Sequence, residues 1–138
     1  RFATDERIDL TVVGPEGPLC AGIVDAFQKA KRLCFGPAQN AAELEGSKAF
    51  ARELCRRHRI PGPSFWVFDS MPMARAFVDN RPDGPIVVKA SGLASGKGVT
   101  VCRNNEQARA AVTECLEKQR FGNAGSKVVF EEFLEGPE

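Results

Sequence analysis

Histidine is almost missing from this 138-residue chain, which has one (His58) beside five cysteines that never pair as C-x-x-C. Cys20, Cys34, Cys55, Cys102 and Cys115 are too widely spaced, and too short of partner ligands, to build a zinc site. Most lie in apolar stripes or strand-like runs, where cysteine behaves as a small hydrophobe. That usage fits a reducing, cytoplasmic compartment. An excess of charge of one sign is also missing: 19 Lys and Arg face 18 Asp and Glu, a net charge of +1. There is then no general electrostatic reason to expect nucleic acid or an anionic membrane surface as partner. No apolar run approaches the roughly 18 residues of a membrane span, and no secretory signal precedes the first strand. Internal repeats and low-complexity tracts are absent too.

What remains is ordinary for a folded protein, with 43% hydrophobic and 27% charged residues. The length suits one modest domain or two incomplete ones. The sequence starts at Arg1 without an initiator methionine and stops at Glu138 inside a turn-like G-P-E. It is therefore expected to be part of a longer protein.

Residues 8–14 (I-D-L-T-V-V-G) are apolar and β-branched and end in Gly-Pro, which predicts a buried strand. Leu19, Ile23, Ala26, Phe27 and Ala30 follow at helical spacing, and residues 32–35 give a second short strand. Strand, helix, strand predicts a right-handed βαβ unit in a parallel sheet. One or two helices are expected over residues 40–58, with Ser47 as a cap and Pro61 and Pro63 as terminators. Beyond these lie a strand at 65–68, a short helix around Met73–Val78 positions, a turn at 80–85 and a strand at 86–90. A glycine-rich loop occupies 91–98, followed by a strand at 99–102, a helix carrying Ala108, Ala111, Val112, Cys115 and Leu116, and a last strand at 128–133. The composition changes between 46 and 60, from a parallel βαβ piece to an α+β piece.

The loop reads S-G-L-A-S-G-K-G. Glycine lets backbone amides approach an anion closely. Lys97 in the loop and Lys89 on the entering strand add two positive charges, which suits a triphosphate. A P-loop does not fit: Gly92 and Gly96 are separated by three residues instead of four, Gly98 stands where a hydroxyl is required, and the loop runs into a strand. The glycine loop of a kinase also joins two antiparallel strands, but its lysine follows the loop, whereas Lys89 precedes it. A plain hairpin bend stays open on these residues alone.

Residues 86–99 (I-V-V-K-A-S-G-L-A-S-G-K-G-V) and 128–138 (V-V-F-E-E-F-L-E-G-P-E) together resemble the ATP-grasp superfamily. With V-V-G-P-E-G-P-L at 12–19 and L-E-G-S-K-A-F at 44–50, the resemblance narrows to the glycinamide ribonucleotide synthetase family and covers nearly the whole chain. It implies an α/β fold. Residues 1–45 would be the second half of a Rossmann-like parallel βαβ domain that precedes the ATP-grasp domain. Residues 46–138 would be the small α+β lobe of the ATP-grasp fold, cut at its hinge. It also implies an ATP-dependent ligase of purine biosynthesis that joins glycine to phosphoribosylamine through a glycyl phosphate.

The same resemblance assigns residues. Lys48 and Lys89 would contact the phosphates of ATP. The loop of Ser91, Gly92, Leu93, Ala94, Ser95, Gly96, Lys97 and Gly98 would close over them, with Lys97 beside the transferred group as the catalytic residue. The hinge, from Glu131 to Leu134, would hold the adenine through the carbonyl of Glu132 and the amide of Leu134. Val128, Val129 and Phe133 would wall the base, and Glu138 would bind the ribose. Glu131 would assist the nucleotide or pair with a lysine. Gly14, Pro15 and Glu16, after a parallel strand, are either a phosphoribosylamine contact or a plain turn. The Gly36-Pro37 turn is open to the same two readings. Glu45 and Ser47 are either caps or ligands.

The Mg²⁺ ligands and most glycine contacts are expected outside this stretch, so no metal ligand is assigned in it and the fragment alone is expected to be inactive. Ser95 and Gly17 stand where the family more often has alanine. His58, among Arg56, Arg57 and Arg59, reads as a solvated helix end. Phe65, Trp66 and Phe68 read as core. Another ATP-grasp enzyme, a carboxylase or a carbamoyl-phosphate-forming one, and a nucleotide-binding module without turnover are the alternatives.

Overall fold

The computed structural model describes residues 1–94 and 96–136. The chain divides into two compact units, Arg1–Gly46 and Ser47–Glu138. It is a mixed α/β protein with one parallel and one antiparallel sheet.

In the first unit a short helix α1 (Phe2–Asp5) leads to β1 (Leu10–Val12), helices α2 (Glu16–Cys20) and α3 (Ile23–Lys29), β2 (Leu33–Phe35) and α4 (Gln39–Gly46). The strands pair in parallel, Leu10 opposite Leu33 and Val12 opposite Phe35. The expected strand over 8–14 is shorter than its apolar run. The expected single helix is two, because Gly22 takes φ 82°, a left-handed conformation that ends one helix and starts the next. Leu19, Val24 and Ala42 form a small core, with Val13, Cys20, Ile23 and Cys34 packed around it. The Asp25 carboxylate accepts from the Gln39 amide at 2.8 Å and so satisfies a donor at the start of α4.

The second unit carries helix α5 (Lys48–Arg57), β3 (Phe65–Phe68), α6 (Met71–Asn80), β4 (Ile86–Ala90), β5 (Val99–Cys102), α7 (Asn105–Val112) and β6 (Val128–Glu131). A π-helical turn, Thr113–Glu117, continues α7, and a 3-10 turn, Gly122–Gly125, precedes β6. The four strands form an antiparallel sheet in the order β3-β6-β4-β5. Ser47 caps α5 by accepting from the Phe50 amide at 3.2 Å, and Asn104 caps α7 by accepting from Gln107 at 2.9 Å.

Side chains alternate across a strand, so each strand of this sheet feeds two faces. Ile86, Val88, Cys102, Val128 and Phe130 point to α6 and α7, where they meet Ala74, Val78, Ala108, Ala111 and Val112 in one core. Phe130 sits at its centre, with its ring centroid 4.9 Å from Phe77 and 5.7 Å from Phe68. Burying such a ring is worth roughly 2–3 kcal/mol.

Two further expectations, in the second unit, need correction. Trp66 is 41% exposed rather than core, because β3 is an edge strand; it leans on Phe77 at 5.0 Å. The last strand stops at Glu131 instead of 133, although the Glu132 amide still donates to the Ser64 carbonyl at 2.9 Å.

Candidate functional site

The second face of the antiparallel sheet is built differently. Register places Val99 opposite Lys89, Val101 opposite Val87, Val129 opposite Lys89 on the other side, and Glu131 opposite Val87. Directly opposed residues share a face, so these side chains form one surface. Helix α5 packs against its β6 side. Towards β5 the surface is open, with Val99 43% and Val101 55% exposed.

At the covered end lies Glu131, 3% exposed. Its Oε1 accepts from Arg52 Nε at 2.7 Å, and its Oε2 accepts from Arg52 Nη2 at 2.9 Å and from Lys89 Nζ at 2.7 Å. Burial pushes the carboxyl up, but the hydrogen bonds from Arg52 and Lys89 outweigh it and hold it below the ordinary glutamate range. The bond to Glu131 in turn raises Arg52 against the opposing effect of its own burial. Glu131 is therefore ionised and fully engaged, and Lys89 is held on the open face by a carboxylate on the next strand.

The glycine-rich loop starts from the same place. The Lys48 amide donates to the Ser91 carbonyl at 2.8 Å, the Ala49 amide donates to Ser91 Oγ at 3.1 Å, and Lys48 Nζ donates to the Gly92 carbonyl at 3.1 Å. The Ser91 amide goes to the Lys127 carbonyl and the Gly92 amide to the Ala124 carbonyl, each at 2.9 Å. A Cβ on Gly92 would sit 2.6 Å from the Ala124 Cα, so the backbone there admits only glycine. Ser91 and Gly92 are thus the fastened root of the loop, and their amides are spent on carbonyls rather than presented to an anion.

Further along, Leu93, Gly96 and Lys97 are exposed, Ala94 is half-buried and Gly98 is buried. Lys97 lines a cleft of about 330 Å³ with Thr100, Gln107, Glu114 and Arg120, on the helix side of the sheet. It does not meet Lys89 in this conformation. Ser95, expected in the loop, and Glu138, expected at the ribose, lie outside the described residues.

At the hinge, Glu132 and Leu134 are exposed and Phe133 is half-buried. The Glu132 carboxylate accepts from the Ser64 amide at 3.2 Å. Val128 points into the helix-side core, on the face opposite to Lys89, and cannot wall a base there; Val129 shares the Lys89 face but is fully buried. In the first unit, Gly14, Pro15 and Glu16 are exposed after β1, with Pro15 and Glu16 opening α2. Glu45 lies in α4 and is exposed. His58 closes α5 beside Arg56 and Arg57, as its charge pattern implies. Among the described residues, no group of three or more His, Cys, Asp and Glu could hold a metal.

Residues 46–138 match the phosphoribosylglycinamide synthetase ATP-grasp (A) domain, and residues 1–45 match the N domain of the same synthetase. The chain belongs to the phosphoribosylglycinamide synthetase family. It is 51% identical over 137 residues to the phosphoribosylamine–glycine ligase of Halalkalibacterium halodurans, a match covering 99% of this chain and 32% of that protein. The chain thus spans about a third of the length of the curated relatives it matches. The crystal structure of the Thermotoga maritima phosphoribosylamine–glycine ligase superposes with a TM-score of 0.68 at 31% identity, over 75% of this chain and 26% of that one. The biotin carboxylase of Campylobacter jejuni, a β,γ-ATP complex, gives a TM-score of 0.76 at 19% identity, over 96% and 30% of the two chains. The second likeness shows the shared ATP-grasp fold alone.

The family's sequence signals pointed to Lys48, Lys89 and Lys97, the loop and the hinge as the expected site. Arg52 and the two open valines were missed. Arg52 lies four residues after Lys48, on the same helical face, which is the one local sign that it reaches the same surface.

Proposed function

We propose that this chain carries the ATP-binding part of a carbon–nitrogen ligase that joins glycine to phosphoribosylamine. The observation that carries the reading is Lys89, an ammonium anchored by a buried carboxylate on an open sheet face, beside exposed Val99 and Val101. An apolar floor next to a fixed cation suits a flat base joined to phosphates. Membership of the synthetase family supplies the reaction class.

In this reading a glycine carboxylate oxygen attacks the γ-phosphorus of ATP, ADP leaves, and glycyl phosphate forms. The amine nitrogen of phosphoribosylamine then attacks the acyl carbon and inorganic phosphate departs. The chain's own residues position and neutralise charge. Lys48 and Lys89 hold the phosphates, the loop 91–98 covers them, and Lys97 swings to the transferred group. The Glu132 carbonyl and Leu134 amide take the adenine, and Glu138 the ribose. Gly14, Pro15 and Glu16 face phosphoribosylamine. Residues 1–45 form the end of a Rossmann-like domain and 46–138 the small ATP-grasp lobe.

Mg²⁺ would neutralise phosphate charge, with its ligands expected outside this stretch; among the described residues the buried carboxylate at the site, Glu131, already serves Arg52 and Lys89. No helix among the described residues is long and apolar enough to cross a membrane. Five free cysteines fit a cytoplasmic location.

The test is phosphate release by the full-length protein. It should require ATP, glycine and phosphoribosylamine together. Release indifferent to glycine would overturn the reading in favour of another ATP-grasp reaction, and no turnover with tight ATP binding would favour a binding module.

A further inference from the structure

We infer that Arg52 and Glu131 are positioning residues for Lys89, and that helix α5 thereby sets both the strand lysine and the root of the glycine-rich loop. The inference rests on the reading above that Lys89 faces the phosphates of ATP.

Among the described residues, Glu131 is the one buried carboxylate. A buried carboxylate is tolerated only when its oxygens are well satisfied, and one fork-shaped guanidinium already satisfies both. Lys89 is a second cation on the same carboxylate. Two positive groups against one negative leave the cluster with an excess of one positive charge, on partly buried side chains that are 20% exposed for Lys89 and 28% for Arg52. An excess cation at the edge of an open face raises the local positive potential and so favours an anion there.

The geometry says how the excess is aimed. An ammonium has three donors, and Glu131 Oε2 takes one of them. A lone lysine on a flexible stem samples many rotamers; one tied at 2.7 Å to a rigid carboxylate samples few. The carboxylate is rigid because Arg52 grips it from α5, and α5 is fixed in turn where its first residues bind Ser91 and Gly92. The spacing of Lys48 and Arg52, one helical turn, puts both grips on one face of α5. Movement of that helix would shift the lysine and the loop root together.

The experiment is a double-mutant cycle in the full-length protein, with ATP affinity read by titration calorimetry and folding by thermal unfolding. Arg52→Gln is expected to weaken ATP binding about tenfold, or ~1.4 kcal/mol. In a Lys89→Met background the same change should add less than about twofold, because the group being positioned is gone. Arg52→Lys, which keeps the charge but loses the fork, should recover part of the affinity. If Arg52→Gln does not fold, Arg52→Lys gives the same test with a smaller loss that again disappears beside Lys89→Met.

A melting temperature that falls while ATP affinity stays constant would overturn the positioning role and leave Arg52 structural. Equal losses with and without Lys89 would overturn it too. If Lys89→Met itself leaves ATP binding unchanged, the nucleotide reading of Lys89 fails and the positioning role falls with it.

Discussion

Replacing Glu131 by glutamine tests the buried cluster directly, since shape is kept and charge is removed. The carboxylate accepts three charge-assisted hydrogen bonds, at 2.7, 2.9 and 2.7 Å. Each such bond is worth about 1.5–3 kcal/mol. The amide keeps one acceptor oxygen and turns an NH₂ donor towards a cation, so at least one bond is lost. Two effects reduce the damage: the neutral amide is easier to bury, and Arg52 and Lys89 are exposed enough to regain water. The net loss works out at about 1–3 kcal/mol, or a fall of about 5–20 °C in melting temperature for a unit of this size.

Acid provides the internal control. The folded-state pKa of Glu131 is depressed, so its stabilising contribution is complete above the unfolded value of about 4.3 and is lost as pH falls through the lower folded value. Glutamine does not titrate. The gap between wild type and Glu131→Gln, measured by urea unfolding from pH 7 down to pH 3, should therefore narrow only below about pH 4.3. A gap that is constant over that range, or absent at pH 7, would refute the account of the cluster.

Two further outcomes concern the frame around the site. Phe130→Ala opens a void between Phe68 and Phe77 and should cost about 3–5 kcal/mol, read as a lower urea midpoint with an unchanged slope. Gly92→Ala drives a Cβ to 2.6 Å from the Ala124 Cα and should cost about 1–3 kcal/mol while also weakening ATP, because the loop root must move; calorimetry and thermal unfolding separate the two effects.

The fold was legible where periodicity carries it. The alternating apolar residues of β4 and β6 and the stripe of Ala108, Ala111 and Val112 are local patterns, and the core forms from them. Less legible were features fixed by tertiary pairing. Trp66 looks like core until the sheet order makes β3 an edge. The helix expected through residues 19–30 breaks at Gly22, whose left-handed backbone no apolar spacing encodes. At the site, Lys89 and the loop stood out as a cation beside glycines, and the lysine partnership of Glu131 was one of its two expected roles. Arg52 had only its helical spacing from Lys48 to mark it, because its carboxylate lies 79 residues away in sequence. Ser91 and Gly92 carry the loop signature yet are spent on fastening it, since which amide meets a carbonyl depends on Ala124 and Lys127, far along the chain.

The central claim is that the open sheet face carrying Lys89 receives the phosphates of ATP. Titration of ATP into the full-length protein, its Lys89→Ala variant and its Cys102→Ala variant measures it most directly. Cys102 is the control because it is fully buried on the opposite face of the same sheet. Lys89→Ala should weaken binding by about tenfold or more, the loss of a charge-assisted contact, while Cys102→Ala leaves affinity unchanged. Equal effects from the two substitutions would contradict the claim and make Lys89 a residue of structure alone.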